Sequence, residues 1–300
     1  MSDFTKAVVA LTLAIFLFDV QGAIIKYMGD VYPVQQLALF RNLFGFIPSL
    51  LILYFSSDWH ANGRPVIIDR WRLGVLRGLF IAIAQFCFYY SLVIMEFATA
   101  STLAFSGPLF ITLLSIPVLK LRVGWLQWLA VAIGFAGVLL ILKPGTELFT
   151  PFALLPIGAA FFYALSSVCV RLFDTHIPTA TINLYSSFGA LLGSCLLLFT
   201  TSQYLPIDAK SWLGLIAMGI VGGCAVLLMI TAYRLTQPGN LSPFEYFGIP
   251  FSYLIGWIIF AETPFAQLFP GVVFIISGGL LIVWRERLSA RNKSILSHPD

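Results

Sequence analysis

Four ionisable side chains stand inside otherwise apolar runs of this 300-residue chain: Asp19, Arg41, Arg77 and Glu245. A charge in hydrocarbon is expensive, so each of these residues is a candidate to face a protein interior and to pair or bind there. At a rise of about 1.5 Å per residue, Asp19 and Arg41 fall at a common depth on two runs that share a short loop, and they are expected to pair. Arg77 and Glu245 make a second candidate pair near the opposite ends of their runs. Glu245 lies in Ser242-Pro243-Phe244-Glu245-Tyr246-Phe247. A carboxylate between aromatic rings can exchange a proton, which a proton-coupled carrier requires. The competing readings are structural ion pairs that only neutralise both charges, and snorkelling of Arg77 to the interface.

Uncharged groups add to the candidate set. Gln21, Asn42, Gln85 and Asn183 are polar residues at mid-run, able to bond across helices or to a substrate. Phe86, Tyr89, Tyr90, Tyr246, Phe247 and Tyr253 offer ring faces that could stack on a flat heterocycle or hold a cation, or simply pack. Pro108 and Pro250 are expected to break helical bonding at matched places and to serve as hinges. The substrate-binding or coupling candidates are therefore Asp19, Arg41, Arg77, Gln85, Tyr89, Glu245 and Tyr246.

These residues must be positioned by membrane helices. The chain is 59% hydrophobic and only 10% charged, against about 25% charged in soluble domains. A span needs about 20 apolar residues. Ten candidates run near 7–28, 34–55, 73–94, 98–119, 124–142, 151–170, 180–200, 211–233, 241–260 and 266–284. The first is too long for a cleaved signal core and is expected to remain as a span. Twelve Lys and Arg residues fall on the side of the amino terminus and three on the other. By the positive-inside bias, both termini are expected in the cytoplasm.

Several function classes are disfavoured. His60, His176 and His298 fall in loops or the tail, and no H-E-x-x-H, G-x-S-x-G or P-loop occurs, so an enzyme or an ATP-driven pump is not expected. Cys87, Cys169, Cys195 and Cys224 sit in apolar stretches without metal-ligand spacing. No cofactor, metal or nucleic acid is expected, and no filter or charged ring marks a channel.

An internal repeat organises the spans. Phe105-Ser106-Gly107-Pro108 aligns with Phe247-Gly248-Ile249-Pro250 at an offset of 142. The first and sixth spans align at 145, which sets Lys26 against Arg171 and Gly74–Gly78 against Gly219–Gly223. Each glycine pair is a G-x-x-x-G, which lets helices approach closely. The same offset sets Asp19 on Ala164 and Arg41 on Ser186, and 142 sets Glu245 on Leu103, so neither charged pair is duplicated. Halves of five spans each must insert with opposite topology, a recurrent transporter design. With Asp19 through Lys26-Tyr27, Tyr32-Pro33, Arg41, Pro48, Leu76-Arg77-Gly78, Pro108, Lys143-Pro144 and Pro250 with Glu262, the chain resembles the EamA branch of the drug/metabolite transporter superfamily. Within it the pattern looks most like carriers of S-adenosylmethionine, flavins or similar metabolites. Glu262 fits the family's acidic position, whereas Lys120 stands at its match in the first half.

The resemblance implies an all-α integral membrane fold of ten helices in two inverted repeats. Residues 7–145 would form the first repeat, 150–286 the second, and 287–300 a cytoplasmic tail. It implies a secondary transporter of a small organic metabolite, working by alternating access in the bacterial inner membrane. Export of amino acids or drugs is the alternative and an intramembrane enzyme a remote one. The expected partners are the small-molecule substrate and the lipid bilayer, with the chain a monomer or homodimer.

Overall fold

The computed structural model describes residues 3–55, 60, 69–120, 124–142, 150–173, 177, 179–201, 204–235, 244, 246–263, 265–281 and 284. Among these residues every regular element is helical. The first part of the chain gives α1 (Asp3–Gly29), α2 (Val34–Phe55), α3 (Trp71–Ile94), α4 (Phe97–Ala104), α5 (Gly107–Leu119) and α6 (Trp125–Leu142). The second gives α7 (Leu154–Cys169), α8 (Thr179–Thr201), α9 (Ser211–Leu235), α10 (Gly248–Phe260) and the single turn α11 (Phe265–Leu268). A last apolar helix, α12, covers Gly271–Leu281. Six described helical stretches are long and apolar enough to cross a membrane, with shorter apolar helices beside them. The molecule is a multi-pass membrane protein.

The most extensive helix pairings join the two parts of the chain. α1 packs along α9, α2 along α9 and α8, and α3 along α8 and α7. Small residues make these crossings close. A Cβ added at Gly78 would lie 2.6 Å from the Gly189 Cα and 2.7 Å from the Ala190 nitrogen, so α3 touches the backbone of α8. At Gly223 it would meet the Pro48 ring at 2.5 Å, pressing α9 on α2. The G-x-x-x-G pairs therefore do what their spacing predicts. Gly134 and Gly137 on α6 do the same against Gly278 and Gly271 on α12 and against Leu109 of α5.

The fourth apolar run is not one continuous helix. α4 stops at Ala104, Phe105 and Ser106 turn, and α5 starts at Gly107 with Pro108 in its first turn. A proline there lacks only an N–H that has no helical partner in any case, so it starts a helix rather than bending one. α10 likewise starts at Gly248 after the Tyr246–Phe247 turn and carries Pro250 in its first turn. The break thus comes before each proline. Pro250 is exposed and Pro108 half-buried.

α5 and α10 are both 13 residues long, and each ends in a left-handed residue with φ 54° and ψ 31°, Lys120 and Ala261. Their register therefore differs by 141, one less than the alignment on the prolines. The structural counterpart of Lys120 is Ala261, not Glu262. This corrects the apparent replacement of an acid by a lysine.

Candidate functional site

The polar residues of the bundle gather in three places. The first lies between α1, α2, α3, α8 and α9. Asn42 donates to the Gln85 Oε1 at 2.8 Å and to the Ser194 Oγ at 2.8 Å, and the Arg41 guanidinium donates to the Asn42 Oδ1 at 3.0 Å. Gln21 donates to the Tyr89 hydroxyl at 3.0 Å. The backbone allows this convergence because α9 presents Gly222 there: a Cβ on it would collide with the Gln21 amide and lie 3.4 Å from the Arg41 Nε. Four of the seven site candidates are Arg41, Gln85, Tyr89 and Asp19, and the first three belong to this group.

Two atoms of the group are buried without a partner, the Arg41 Nε and the Gln21 Oε1. A buried polar group left unpaired costs about 1–3 kcal/mol. A hydrogen bond between membrane helices returns only about 0.6 kcal/mol on average. The cluster is therefore a weak device for holding helices together. It brings together a guanidinium, three amides and a phenol.

Asp19 does not join it. No ion pair forms between Asp19 and Arg41, and the Asp19 Oδ2 is buried without a partner. Azimuth separates the two residues. Gln21 lies about 200° around α1 from Asp19, at 100° per residue, and it is Gln21 that turns toward α9. Asp19 shares a face with Ile15 and Gly22, whose neighbours are Gly248 of α10 and Phe97 of α4.

The second place lies around Arg77 on α3. Its Nε donates to the Ser166 carbonyl of α7 at 3.0 Å and one terminal nitrogen donates to the Ser186 Oγ of α8 at 2.6 Å. Among the described residues no carboxylate pairs with Arg77. Glu245 lies outside the described residues, so its pairing with Arg77 is not described. Tyr246 is buried against Phe105, with ring centroids 6.2 Å apart, and its hydroxyl end reaches Gly279 on α12. It is not part of the Arg41 group.

Arg41 and Arg77 occupy related settings. At the offset of 145, positions 21, 41 and 222 correspond to 166, 186 and 77. The first three meet as Gln21, Arg41 and Gly222, the second three as Ser166, Ser186 and Arg77. Each set brings one arginine into a junction of three helices, donated by a different member.

The third place is the end of the bundle opposite the amino terminus. Lys26 pairs with the Glu262 Oε1 at 2.7 Å and donates to the Met95 carbonyl at 2.5 Å. It also lies 5.2 Å from the centroid of the Phe260 ring. The Glu262 Oε2 accepts from the Phe97 N–H at 2.6 Å and so caps α4, a favourable use of a carboxylate. Beside this pair the Tyr32 hydroxyl donates to Asp208 at 2.6 Å, and Gln36 exchanges two bonds with the Leu205 backbone at 2.9 and 3.0 Å. The bonds from Ser211 and then Tyr32 hold the Asp208 carboxyl below its usual range. All three contacts join the first part of the chain to the second. In the sequence Lys26 stands out only as a repeat position and Glu262 only as a family position. Ser166, Ser186 and Ser194 carried no signal, because serines in spans ordinarily bond their own helix, as Ser194 also does to Ala190.

Known proteins agree with this architecture. A solved crystal structure superposes with a TM-score of 0.62 at 20% identity, covering 94% of this chain and 98% of the other, which fixes the fold alone. The S-adenosylmethionine uptake transporter of Rickettsia prowazekii is 25% identical over 290 residues, 94% of this chain and 93% of that protein. The riboflavin transporter of Vibrio cholerae is 30% identical over 194 residues, covering 64% and 65%. The pseudopaline exporter CntI of Pseudomonas aeruginosa is 27% identical over 284 residues, covering 94% and 95%. The EamA-like transporter family matches twice, over residues 5–143 and 150–284, and the chain belongs to that family.

Proposed function

We propose that this protein is a secondary transporter that carries an amino-acid-bearing metabolite of the S-adenosylmethionine class across the bacterial inner membrane by alternating access. The observation that carries the reading is the buried, unpartnered Arg41 Nε beside the unpartnered Gln21 Oε1, in a polar group closed between the two parts of the chain. A guanidinium there matches a carboxylate. The amides of Gln21, Asn42 and Gln85 and the Tyr89 ring suit the remaining polar and flat portions of such a molecule. The relatives named for S-adenosylmethionine uptake support the class, and the one named for riboflavin supports a flat heterocycle.

Ten spans in two inverted halves, at 7–145 and 150–286, complete the reading. Three observations support it: the double family match, the twin 13-residue helices with identical left-handed ends, and the paired arginine junctions. Both termini are then cytoplasmic and the Lys26–Glu262 end is outer. Arg77, Glu245 and Tyr246 remain candidates for coupling or substrate contact, and Pro108 and Pro250 for the breaks that let the halves rock.

The test is uptake of radiolabelled S-adenosylmethionine and riboflavin into proteoliposomes of the purified protein. Saturable S-adenosylmethionine uptake is expected, with a loss of at least tenfold in Arg41→Ala that reaches normal levels in the membrane. Flavin uptake alone, or full activity of Arg41→Ala, would overturn the proposal.

A further inference from the structure

We infer that Asp19, Ser101 and Ser252 form a binding site for a sodium ion, separate from the Arg41 group and resting on the transporter reading only for its use. The argument starts from register. Three helices, α1, α4 and α10, meet along a common line in which contacts recur every turn. In the lower layer, a Cβ on Gly248 of α10 would meet Phe105, just beyond the end of α4, and lie 3.1 Å from the Ile15 side chain of α1. In the upper layer, a Cβ on Gly22 of α1 would lie 3.1 Å from the Phe97 ring, and one on Gly256 of α10 lies 3.8 Å from the same residue. One turn from each of these, at the level between, stand Asp19 on α1, Ser101 on α4 and Ser252 on α10. The lower layer is apolar or glycine, the upper layer adds the Glu262 carboxylate, whose Oε2 a Cβ on Gly256 would meet at 3.3 Å, and the middle layer is polar on all three helices.

All three middle residues are buried, with Asp19 9%, Ser101 3% and Ser252 0% exposed. The Asp19 Oδ2 and the Ser101 Oγ have no hydrogen-bond partner, and neither bonds the other although a hydroxyl and a carboxylate at contact would. Ser252 donates to the Ile249 carbonyl, which leaves its oxygen lone pairs available. The next residue on α4, Thr102, also has a buried unpartnered hydroxyl oxygen. Beyond it α4 ends at Ala104, where the Phe105 N–H bonds the Ser101 and Thr102 carbonyls and the Ser106 N–H bonds the Leu103 carbonyl, so that end adds the negative pole of the helix dipole and not free carbonyls.

The ligand chemistry follows from this inventory. The site offers one carboxylate, hydroxyl oxygens and the negative pole of a helix, and among the described residues no cation pairs with Asp19. The nearest lysine on the same face, Lys26, is two turns away and held by Glu262. A hard cation takes oxygen ligands of this kind. Broken helices in transporters place their carboxyl ends on such ions. The burial of the oxygens excludes an organic cation. One carboxylate balances one positive charge, so a monovalent ion fits where a divalent one would stay half-compensated. A cation bound between α1, α4 and α10 would tie the broken span to both parts of the chain.

The experiment is thermal unfolding of the purified full-length protein in detergent without any substrate. Sodium chloride is titrated against choline chloride and potassium chloride at constant ionic strength. The expected result is a melting temperature that rises with the logarithm of sodium concentration, by several degrees at saturation, and not with choline or potassium. Asp19→Asn and Ser101→Ala should each remove that dependence, and Ser101→Ala serves alone if Asp19→Asn does not fold. Gln85→Ala, in the Arg41 group, should keep it. An equal response to all three salts would overturn the site. So would a sodium response that survives both substitutions, or stabilisation by acid alone that depends on Asp19 and marks a proton as the occupant. Because no transport is measured, these results stand whether or not S-adenosylmethionine is the substrate.

Discussion

Lys26 and Glu262 hold each other at the end of the bundle opposite the amino terminus. Their side chains are 13% and 14% exposed, and each makes a second bond to the backbone around the α3–α4 corner. Breaking a buried pair from one side leaves an uncompensated charge, a loss of about 3–5 kcal/mol, whereas removing both charges together is often close to neutral. Lys26→Met is therefore expected to lower the melting temperature in detergent more than the double variant Lys26→Met/Glu262→Gln. The glutamine can still accept from the Phe97 N–H. If the double variant were the less stable of the two, the pair would not be the source of the effect. The same scale shows why sequence reading found some of the site and missed the rest. Charged and amide groups stand out in apolar runs, so Arg41, Gln85 and Tyr89 were legible as candidates. Asp19 was legible as a residue but assigned the wrong neighbour, because depth follows from counting residues while azimuth depends on which helices pack around α1.

Helices here are held apart or together by single atoms. Gly78 and Gly223 allow α3 and α9 to touch the backbone or ring of α8 and α2, so a larger residue cannot be absorbed by rotating a side chain. Overpacking of a fitted interface costs about 1–3 kcal/mol. Gly78→Leu and Gly223→Leu are each expected to reduce the yield of folded protein and to lower its melting temperature by several degrees. Gly158 on α7 supplies the control, since a Cβ there would meet nothing within 4 Å. Gly158→Ala should be neutral or slightly stabilising, by up to about 1 kcal/mol from helix propensity. Equal losses at Gly78 and Gly158 would mean that glycine matters for the helix itself and not for the crossing. At this scale the sequence was largely readable. Apolar length located the helices, and G-x-x-x-G spacing located the crossings. The exact break in the fourth span was not, because proline marks the start of a helix as readily as a bend. The offset of 142 followed the prolines, whereas the equal helix lengths and the caps at Lys120 and Ala261 give 141.

At the scale of the molecule, side-chain bonds join the two parts of the chain at both ends of the bundle. The end opposite the amino terminus is fastened by side-chain bonds between the two parts of the chain: Lys26 to Glu262, Tyr32 to Asp208 and Gln36 to Leu205. At the end nearer the amino terminus Arg70 reaches the Leu172 carbonyl and Arg77 reaches Ser166 and Ser186. If the two parts rock against each other, the first set of bonds must open in one state and close in the other. The Tyr32–Asp208 contact is the best place to test this, because both groups lie outside the spans and their replacement leaves the Lys26 pair intact. In a background with Cys87, Cys169, Cys195 and Cys224 changed to alanine, Tyr32→Cys/Asp208→Cys can be joined by a short bifunctional thiol reagent. Joining should abolish uptake, and a cleavable reagent should restore it on reduction. Each single cysteine variant treated in the same way should keep its activity. Substrate present during the reaction should change the yield of cross-linked protein, since a ligand shifts the populations of states that bind it unequally. Undiminished uptake by fully cross-linked protein would mean that this end stays closed throughout the cycle, and that the halves do not rock about it.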